Sequence, residues 1–417
     1  TQTLRDVHVL TGWDPVSIER HLDDPVVFLS TNSRALEEAD AVAVTADAAA
    51  HARQAASITW RPISFISRSD STMRGHFPAE VLAMADAAGM PEARILLAPY
   101  FGDGGRVTVD DVHYLDRDGG RTPVAETEFA RDATFGYRSS NLRDWVAEKY
   151  AAAGMPSPAI ASLSLEMVRG GGPDAIAEAL LALPPGGVAI ANAELDRDIE
   201  VVALGSLLAE GRDLPLVART AASYVRARAG RAPAPLLYRR ELETDGPGLI
   251  VVGSHVETTT RQLEHLLDQL PVAAYEMAVE PLIAGGPEVQ AAVGSAAAAL
   301  DSAIGDGRIG LVSTERVRRA VGLEGGRAIS SALVEVVRRM SRRPGWVIAK
   351  GGITSYDVAT GGLAMRDALV AGQLLPGVPV WIGGEGSRWP GMPLVVFPGN
   401  VGDADGLVRA VSILDGA

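Results

Sequence analysis

Three segments in the second half of the chain share a pattern that could bind an anion. Each is a short apolar run followed by glycine and then by the start of a predicted helix, at residues 251–255, 349–355 and 397–402. Glycine lets the backbone approach an anion, and a helix N-terminus offers free N–H groups with a partial positive charge. One such loop is more often a tight turn, but three in one domain favour a polyphosphate site.

A dense polar cluster in the first half, residues 67–78, also follows a predicted strand. Arginines such as Arg74 could bind a carboxylate or phosphate with bidentate geometry, and Asp70 could orient a hydroxyl or hold Mg²⁺. The alternative is a capped turn into a helix at 78–88 with a surface ion pair, and the residues alone leave both open. Arg34, just after an earlier predicted strand, could bind an anion or be solvated.

Composition excludes several classes of protein. The 417 residues include no cysteine, which rules out disulfide scaffolds, thiol nucleophiles and cysteine-based zinc sites. The net charge of −14 argues against binding to nucleic acid or to an anionic membrane. No apolar run approaches the roughly 20 residues needed to span a bilayer, and the first residues carry no signal-peptide pattern. These features predict a cytoplasmic protein.

The chain has only two lysines, Lys149 and Lys350, which are followed by Tyr150 and Gly351. Neither can be the lysine of a standard P-loop, because that lysine is followed by serine or threonine. A Schiff-base enzyme would have only these two candidates. The seven histidines show no H-E-x-x-H or similar spacing, so a zinc hydrolase is not expected.

These candidates must be positioned by an α/β fold. Apolar runs alternate with helix-period stretches in both halves, which predicts two α/β domains with mainly parallel sheets. We place the domains at 1–235 and 248–417, joined through a stretch rich in proline and glycine. The predicted strands are 26–29, 63–66, 95–98, 188–191, 249–252, 309–313, 347–349, 378–382 and 394–397. A helix with one apolar stripe is predicted through Ile329, Leu333, Val336 and Met340.

At the polar cluster the sequence resembles a known family. Residues 67–76 read Ser-Arg-Ser-Asp-Ser-Thr-Met-Arg-Gly-His and resemble the K/R-x-D-S-T-L-R-G signature of the four-carbon acid-sugar kinases. The resemblance continues in order along nearly the whole chain, at 31–36, 127–132, 253–254, 351–355, 372–379 and 398–402. Each piece is weak alone, but the combination is specific.

The resemblance implies a substrate-binding first domain and a nucleotide-binding second domain, whose sites face an interdomain cleft. The residues that it places around the acid sugar are Arg34, Asp70, Ser71, Thr72 and Arg74. The residues that it places around ATP are Ser254, Gly351, Gly352, Ile353, Thr354, Gly399, Asn400 and Gly402.

The resemblance assigns no residue of this sequence as the catalytic base. Members of the most similar branch begin with an acidic segment resembling Asp-Asp-Asp-Pro-Thr-Gly before Thr-Gln-Thr, whereas this sequence begins at Thr1. That segment is the expected position of a base or metal ligand, so we expect a protein beginning at Thr1 to bind ATP but to turn over slowly or not at all. Within the cluster Asp70 is the catalytic candidate, although its arginine neighbours would lower its pKa and weaken it as a base.

The function implied is an ATP-dependent kinase that phosphorylates a hydroxyl of a tetronate or 3-oxo-tetronate, an alcohol acceptor. Mg²⁺ is implied by the chemistry, although no metal motif is visible. The expected partner is a small sugar acid. The sequence does not set the oligomeric state, so it leaves open whether the protein is a monomer or a homodimer. Two alternatives remain: a nucleotide-binding regulator without turnover, and a non-kinase sugar-acid enzyme. The lack of G-x-G-x-x-G after a first strand argues against a dehydrogenase.

Overall fold

A computed structural model of the protein describes residues 4–117, 120–316 and 322–416. The chain divides into two units. The N-terminal unit is Trp13–Pro233, and the C-terminal unit combines Ala234–Ala417 with Thr1–Gly12. The boundary lies in the stretch rich in proline and glycine. The sequence-based division had assigned the first residues to the first domain, whereas the structure assigns them to the other unit.

Short runs of aliphatic and β-branched residues form the strands. Their bounds are β1 Val7–Leu10, β2 Val27–Leu29, β3 Phe65–Arg68, β4 Arg94–Ala98, β5 Arg106–Val109, β6 Val112–Arg117, β7 Gly120–Pro123, β8 Ile160–Leu163, β9 Val188–Ala191, β10 Leu216–Thr220, β11 Leu249–Val252, β12 Ala273–Met277, β13 Gly310–Thr314, β14 Val347–Lys350, β15 Asp367–Leu375, β16 Val378–Gly383 and β17 Pro393–Phe397.

The α-helices lie between these strands. Their bounds are α1 Pro15–Glu19, α2 Glu38–Thr59, α3 Ala79–Ala87, α4 Leu142–Ala152, α5 Gly172–Ala182, α6 Asp196–Glu210, α7 Ala222–Arg228, α8 Glu257–Gln269, α9 Val279–Ala284, α10 Pro287–Gly305, α11 Gly322–Arg339, α12 Gly352–Asp357 and α13 Gly406–Asp415. None of the helices in the described ranges is long and apolar enough to cross a membrane.

In the N-terminal unit, five parallel strands form a sheet in the order β3-β10-β4-β9-β8. Successive side chains of β4 point to opposite faces of this sheet. Ile95 and Leu97 pack with α3 and α4, whereas Leu96 and Ala98 pack with α5, α6 and α7. The unit is therefore a sheet covered by helices on both faces. A separate antiparallel sheet of β5, β6 and β7 contributes His113 to the site described below.

In the C-terminal unit, β12, β13, β11, β14 and β17 are parallel neighbours, and β16, β15 and β1 continue the sheet as antiparallel strands. The pairing with β15 explains why the first residues belong to this unit. Ser313, Val252, Lys350 and Phe397 lie side by side in register. The loops that follow these four strands therefore leave the sheet together at one edge.

The predicted α/β class with mainly parallel sheets is confirmed, and each predicted strand is present within two residues of its expected bounds. The stripe on α11 is also confirmed, because Ile329, Leu333, Val336 and Met340 are all buried. Two helix starts were wrong. The helix predicted to follow residues 349–355 begins within them, at Gly352, so Thr354 lies inside its first turn, and the helix predicted to follow residues 397–402 begins only at Gly406.

Candidate functional site

The loop after β3 brings most of the predicted acid-sugar residues together. Arg74 Nε donates to Asp70 Oδ2 at 2.7 Å, and Arg34 Nη1 lies 3.6 Å from Asp70 Oδ1. The Thr72 hydroxyl also donates to Asp70 Oδ2, and Arg74 Nη1 lies 3.6 Å from a carboxylate oxygen of Asp132. The Asp70 side chain is 14% exposed, and that of Arg34 is 42% exposed. One carboxylate is thus held between two arginines, one of them open to solvent.

These contacts decide what Asp70 can do. Burial alone would raise the pKa of Asp70, but the charges of Arg34 and Arg74, with hydrogen bonds from Arg74 and Thr72, hold it well below its usual value. Asp70 is therefore ionised throughout the physiological range and is a weak base, as the sequence predicted. Both of its oxygens face arginine cations, so the arrangement suits orientation of a ligand better than binding of a metal ion.

Two buried side chains from distant segments hold the backbone of this loop. The Tyr137 hydroxyl donates to the Thr72 carbonyl at 2.9 Å. His113 Nε2 lies 2.9 Å from the Ser71 carbonyl oxygen, and its Nδ1 lies 2.9 Å from Thr108 Oγ1. Burial lowers the pKa of His113 to about 4, so the ring is neutral, donates to Ser71 and accepts from Thr108. The contact of Ser71 with His113 is therefore made by its backbone carbonyl and not by its side chain.

Sequence reasoning did not find His113 or Tyr137. A lone histidine in a hairpin strand and a tyrosine after a short helical turn carry no motif, and only the tertiary fold brings them to residues 71 and 72. The loop is also supported from below by Arg219, whose Nη1 donates to Ser67 Oγ at 2.8 Å. A β-carbon on Gly75 would lie 2.6 Å from Arg219 Nη2, and Gly75 has a φ of +132°, so glycine is required there.

The C-terminal unit brings the three glycine loops together. The amide of Ser254 donates to the Lys350 carbonyl at 3.2 Å, and the amide of Gly351 donates to the Phe397 carbonyl at 2.8 Å. Thr259 Oγ1 lies 3.1 Å from both Ser254 Oγ and the Gly399 carbonyl oxygen. The loops after β11, β14 and β17 are thus linked by direct hydrogen bonds.

The glycines in these loops leave no room for side chains. A β-carbon on Gly351 would lie 3.0 Å from the Ser254 β-carbon, and Gly351 has a φ of +121°. A β-carbon on Gly253 would overlap the Thr354 hydroxyl. Because α12 begins at Gly352, its first free N–H groups lie beside the Ser254 loop. Close backbone approach at a helix start is the geometry that suits an anion.

The remaining predicted nucleotide residues lie on the same loops. Ile353 is 41% exposed, and Asn400 is half-buried. Gly402 has a φ of +85°, a left-handed conformation that favours glycine. Gln262 on α8 holds this loop from the side, since its Nε2 donates to the Val401 carbonyl at 3.1 Å and the Asp403 carbonyl at 2.7 Å.

A buried lysine lies beneath the last glycine loop. Lys350 is fully buried, its Nζ donates to the Pro398 carbonyl at 2.7 Å, and the ammonium lies 3.9 Å from the centre of the Phe397 ring. Burial lowers the pKa of Lys350 to about 7. The sequence identified Lys350 only as one of two lysines; its position under the loop comes from the pairing of β14 with β17.

Models of two protein domains match this chain. A sugar-binding N-terminal domain matches residues 2–228, and a nucleotide-binding C-terminal domain matches residues 249–407. A D-erythronate kinase from Heliobacterium modesticaldum is 28% identical over 258 residues, which are 60% of this chain. That alignment covers 52% of the relative, so the chain spans about half the length of the curated relative that it matches.

Two solved bacterial structures share the fold. HI1011 from Haemophilus influenzae has a TM-score of 0.63 at 16% identity and covers 98% of this chain and 94% of its own. A protein from Salmonella typhimurium LT2 has a TM-score of 0.67 at 16% identity, and the match covers 97% of this chain and 98% of that protein. The two domain matches and the D-erythronate kinase relative confirm the resemblance read from residues 67–76: the chain belongs to the four-carbon acid-sugar kinase family.

Proposed function

We propose that this protein is an ATP-dependent kinase that transfers the γ-phosphoryl group to a hydroxyl of a four-carbon sugar acid. The observation that carries the proposal is the convergence of the loops after β11, β14 and β17, where glycine backbones pack too closely to admit side chains. This geometry suits the phosphates of ATP, and the family match supports a nucleotide there.

The acid-sugar site would lie at Arg34, Asp70, Ser71, Thr72 and Arg74. The arginines suit the substrate carboxylate because a guanidinium matches its two oxygens. Asp70 keeps the arginines oriented and can accept a hydrogen bond from a substrate hydroxyl. Because the transition state of phosphoryl transfer is loose, orientation and charge stabilisation matter more than a strong base, which fits the low basicity of Asp70.

Mg²⁺ accompanies the phosphates of ATP in such reactions. Asp70, the acidic residue at the centre of the described sugar-acid cluster, does not fit as its ligand, because arginine cations face both carboxylate oxygens. We therefore assign no residue of this chain to the ion. The proposed protein partner is a second copy of the chain, as a homodimer, which size-exclusion chromatography with light scattering would test.

The test is an ADP-release assay with D-erythronate, threonate and 3-oxo-tetronate as acceptors, beside calorimetric titration with ADP. We expect nucleotide binding together with ADP release that depends on one of these acids. An acceptor of a different class, such as glycerol, is the control for a nonspecific alcohol. Nucleotide binding without release with any acid would instead support a regulator, and absence of nucleotide binding would contradict the proposal.

A further inference from the structure

Arg316 lies at the same edge of the sheet as the glycine loops, and neither the motifs nor the family resemblance assigned it a role. It follows β13 by two residues, and β13 is the parallel neighbour of β11. Its Nη1 donates a short hydrogen bond to the carbonyl of Ser254. The guanidinium is thus fastened to one of the three glycine loops.

The other edge of this guanidinium is unsatisfied. Nε and Nη2 are shielded from solvent and have no hydrogen-bond partner in the part of the chain that the structure describes. Burial lowers the pKa of Arg316, and the charge of Glu276 on β12 opposes that effect only in part. Arginine stays protonated in proteins, so shielded, unpaired donors carry a free-energy cost that an anion would remove.

The geometry of the free edge indicates which kind of anion it would bind. The Nε–H and Nη2–H groups of a guanidinium point in parallel and form the fork that matches two oxygens of a phosphate. Nη1, the group outside that fork, is the one that Ser254 engages. The side chain as a whole is only partly buried, and its guanidinium lies beside the Ser254 loop.

The charge of Arg316 also acts on His255, the residue that follows Ser254. Nε2 of His255 lies 3.1 Å from Thr314 Oγ1, at the end of β13. Burial and the charge of Arg316 both lower the pKa of His255. The field of Arg316 therefore reaches the loop where a phosphate would lie.

We propose that Arg316 binds the polyphosphate of the nucleotide through its Nε–Nη2 edge while Nη1 remains on the Ser254 carbonyl. This inference rests on the proposed function, because it assigns a residue to the same nucleotide site. Arg316 then supplies a fixed positive charge beside the phosphates that the glycine backbones cannot supply.

The test compares calorimetric titrations of the wild type, Arg316→Gln and Arg308→Gln with ADP, pyrophosphate and adenosine. Arg308 is exposed and precedes β13 at the opposite end of the strand, so it is the matched control. We expect Arg316→Gln to weaken ADP and pyrophosphate by about 10- to 100-fold, with adenosine unchanged, because a charged hydrogen-bonded pair is lost. Arg308→Gln should bind all three like the wild type.

Equal binding of ADP by the wild type and Arg316→Gln would overturn the inference, as would equal weakening of ADP and adenosine, which indicates a general distortion. If Arg316→Gln does not fold, Arg316→Lys decides: the charge remains but the fork is lost, so a loss of about tenfold for pyrophosphate is expected and unchanged affinity overturns the assignment. A wild-type protein that binds neither ADP nor pyrophosphate would instead contradict the proposed function itself.

Discussion

The hydroxyl of Ser254 occupies the space that a side chain at Gly399 would need: a β-carbon there would lie 2.6 Å from Ser254 Oγ. A side chain at position 399 would have to displace the Ser254 hydroxyl. We expect Gly399→Ala to separate the Ser254 and Gly399 loops, to weaken ADP binding by about tenfold or more, and to destabilise the protein by about 1–3 kcal/mol through overpacking. Titration calorimetry and thermal unfolding measure the two effects.

Gly386→Ala is the control for this change. Gly386 lies in the same unit, and a β-carbon there meets nothing within 4 Å. Its substitution should alter unfolding by less than about 0.5 kcal/mol and leave ADP affinity unchanged. If Gly399→Ala bound ADP as well as Gly386→Ala, the contact between the loops would not contribute to the nucleotide site.

Arg74 provides a test of the acid-sugar site. In Arg74→Ala the charge beside Asp70 is lost. We expect kcat/KM for the four-carbon acid to fall, which corresponds to a loss of about 2–4 kcal/mol of transition-state stabilisation. ADP affinity should not change, since the proposed nucleotide loops lie in the other unit. Arg61→Ala, which breaks an exposed ion pair with Asp23, is the control. Wild-type kinetics in Arg74→Ala would remove this cluster from the active site.

Tyr137 provides a test of the support beneath the site. Tyr137→Phe removes the hydrogen bond to the Thr72 carbonyl, which should destabilise the protein by about 1–2 kcal/mol and raise KM for the acid more than it lowers kcat. Tyr150→Phe is the matched control, because the Tyr150 hydroxyl is buried without a partner among the described residues. The control should be neutral or stabilising. Equal KM values in the two variants would show that Tyr137 acts only on stability.

The buried Lys350 should make the free energy of unfolding depend on pH. Its folded-state pKa, about 7, lies below the unfolded value of about 10.4, so between these pH values the unfolded chain binds the extra proton. The free energy of unfolding should therefore rise with pH across this window, by up to about 1.4 kcal/mol per pH unit from this group. The penalty for burying the charge is largest below pH 7.

The measurement is the pH dependence of unfolding free energy in the wild type and Lys350→Met from pH 6 to 10. The rise should be much smaller in the variant, which has no ammonium to bury. Lys149→Met is the comparison, because Lys149 is only half-buried, although burial lowers its pKa too. Parallel curves for the wild type and Lys350→Met would show that Lys350 keeps a normal pKa in the folded protein.

The strands were predictable where apolar runs were unbroken. β9 and β11 are four consecutive buried aliphatic residues, and the sequence predicted both with their observed bounds. The sequence did not predict β10, Leu216–Thr220, because Arg219 and Thr220 interrupt the apolar pattern. Arg219 is tolerated there only because Ser67 and Glu80, far away in sequence, accept its hydrogen bonds.

The sequence by itself determined which loops carry the candidate chemistry, because glycine patterns and the cluster at 67–76 are local features. The tertiary structure decided what surrounds them. The neutral ring of His113 beneath Ser71, the ammonium of Lys350 beneath Pro398 and the guanidinium of Arg316 against Ser254 all depend on strand order and burial. Hydrogen bonding and desolvation act between neighbours in space, and the residues that meet at these points are far apart along the chain.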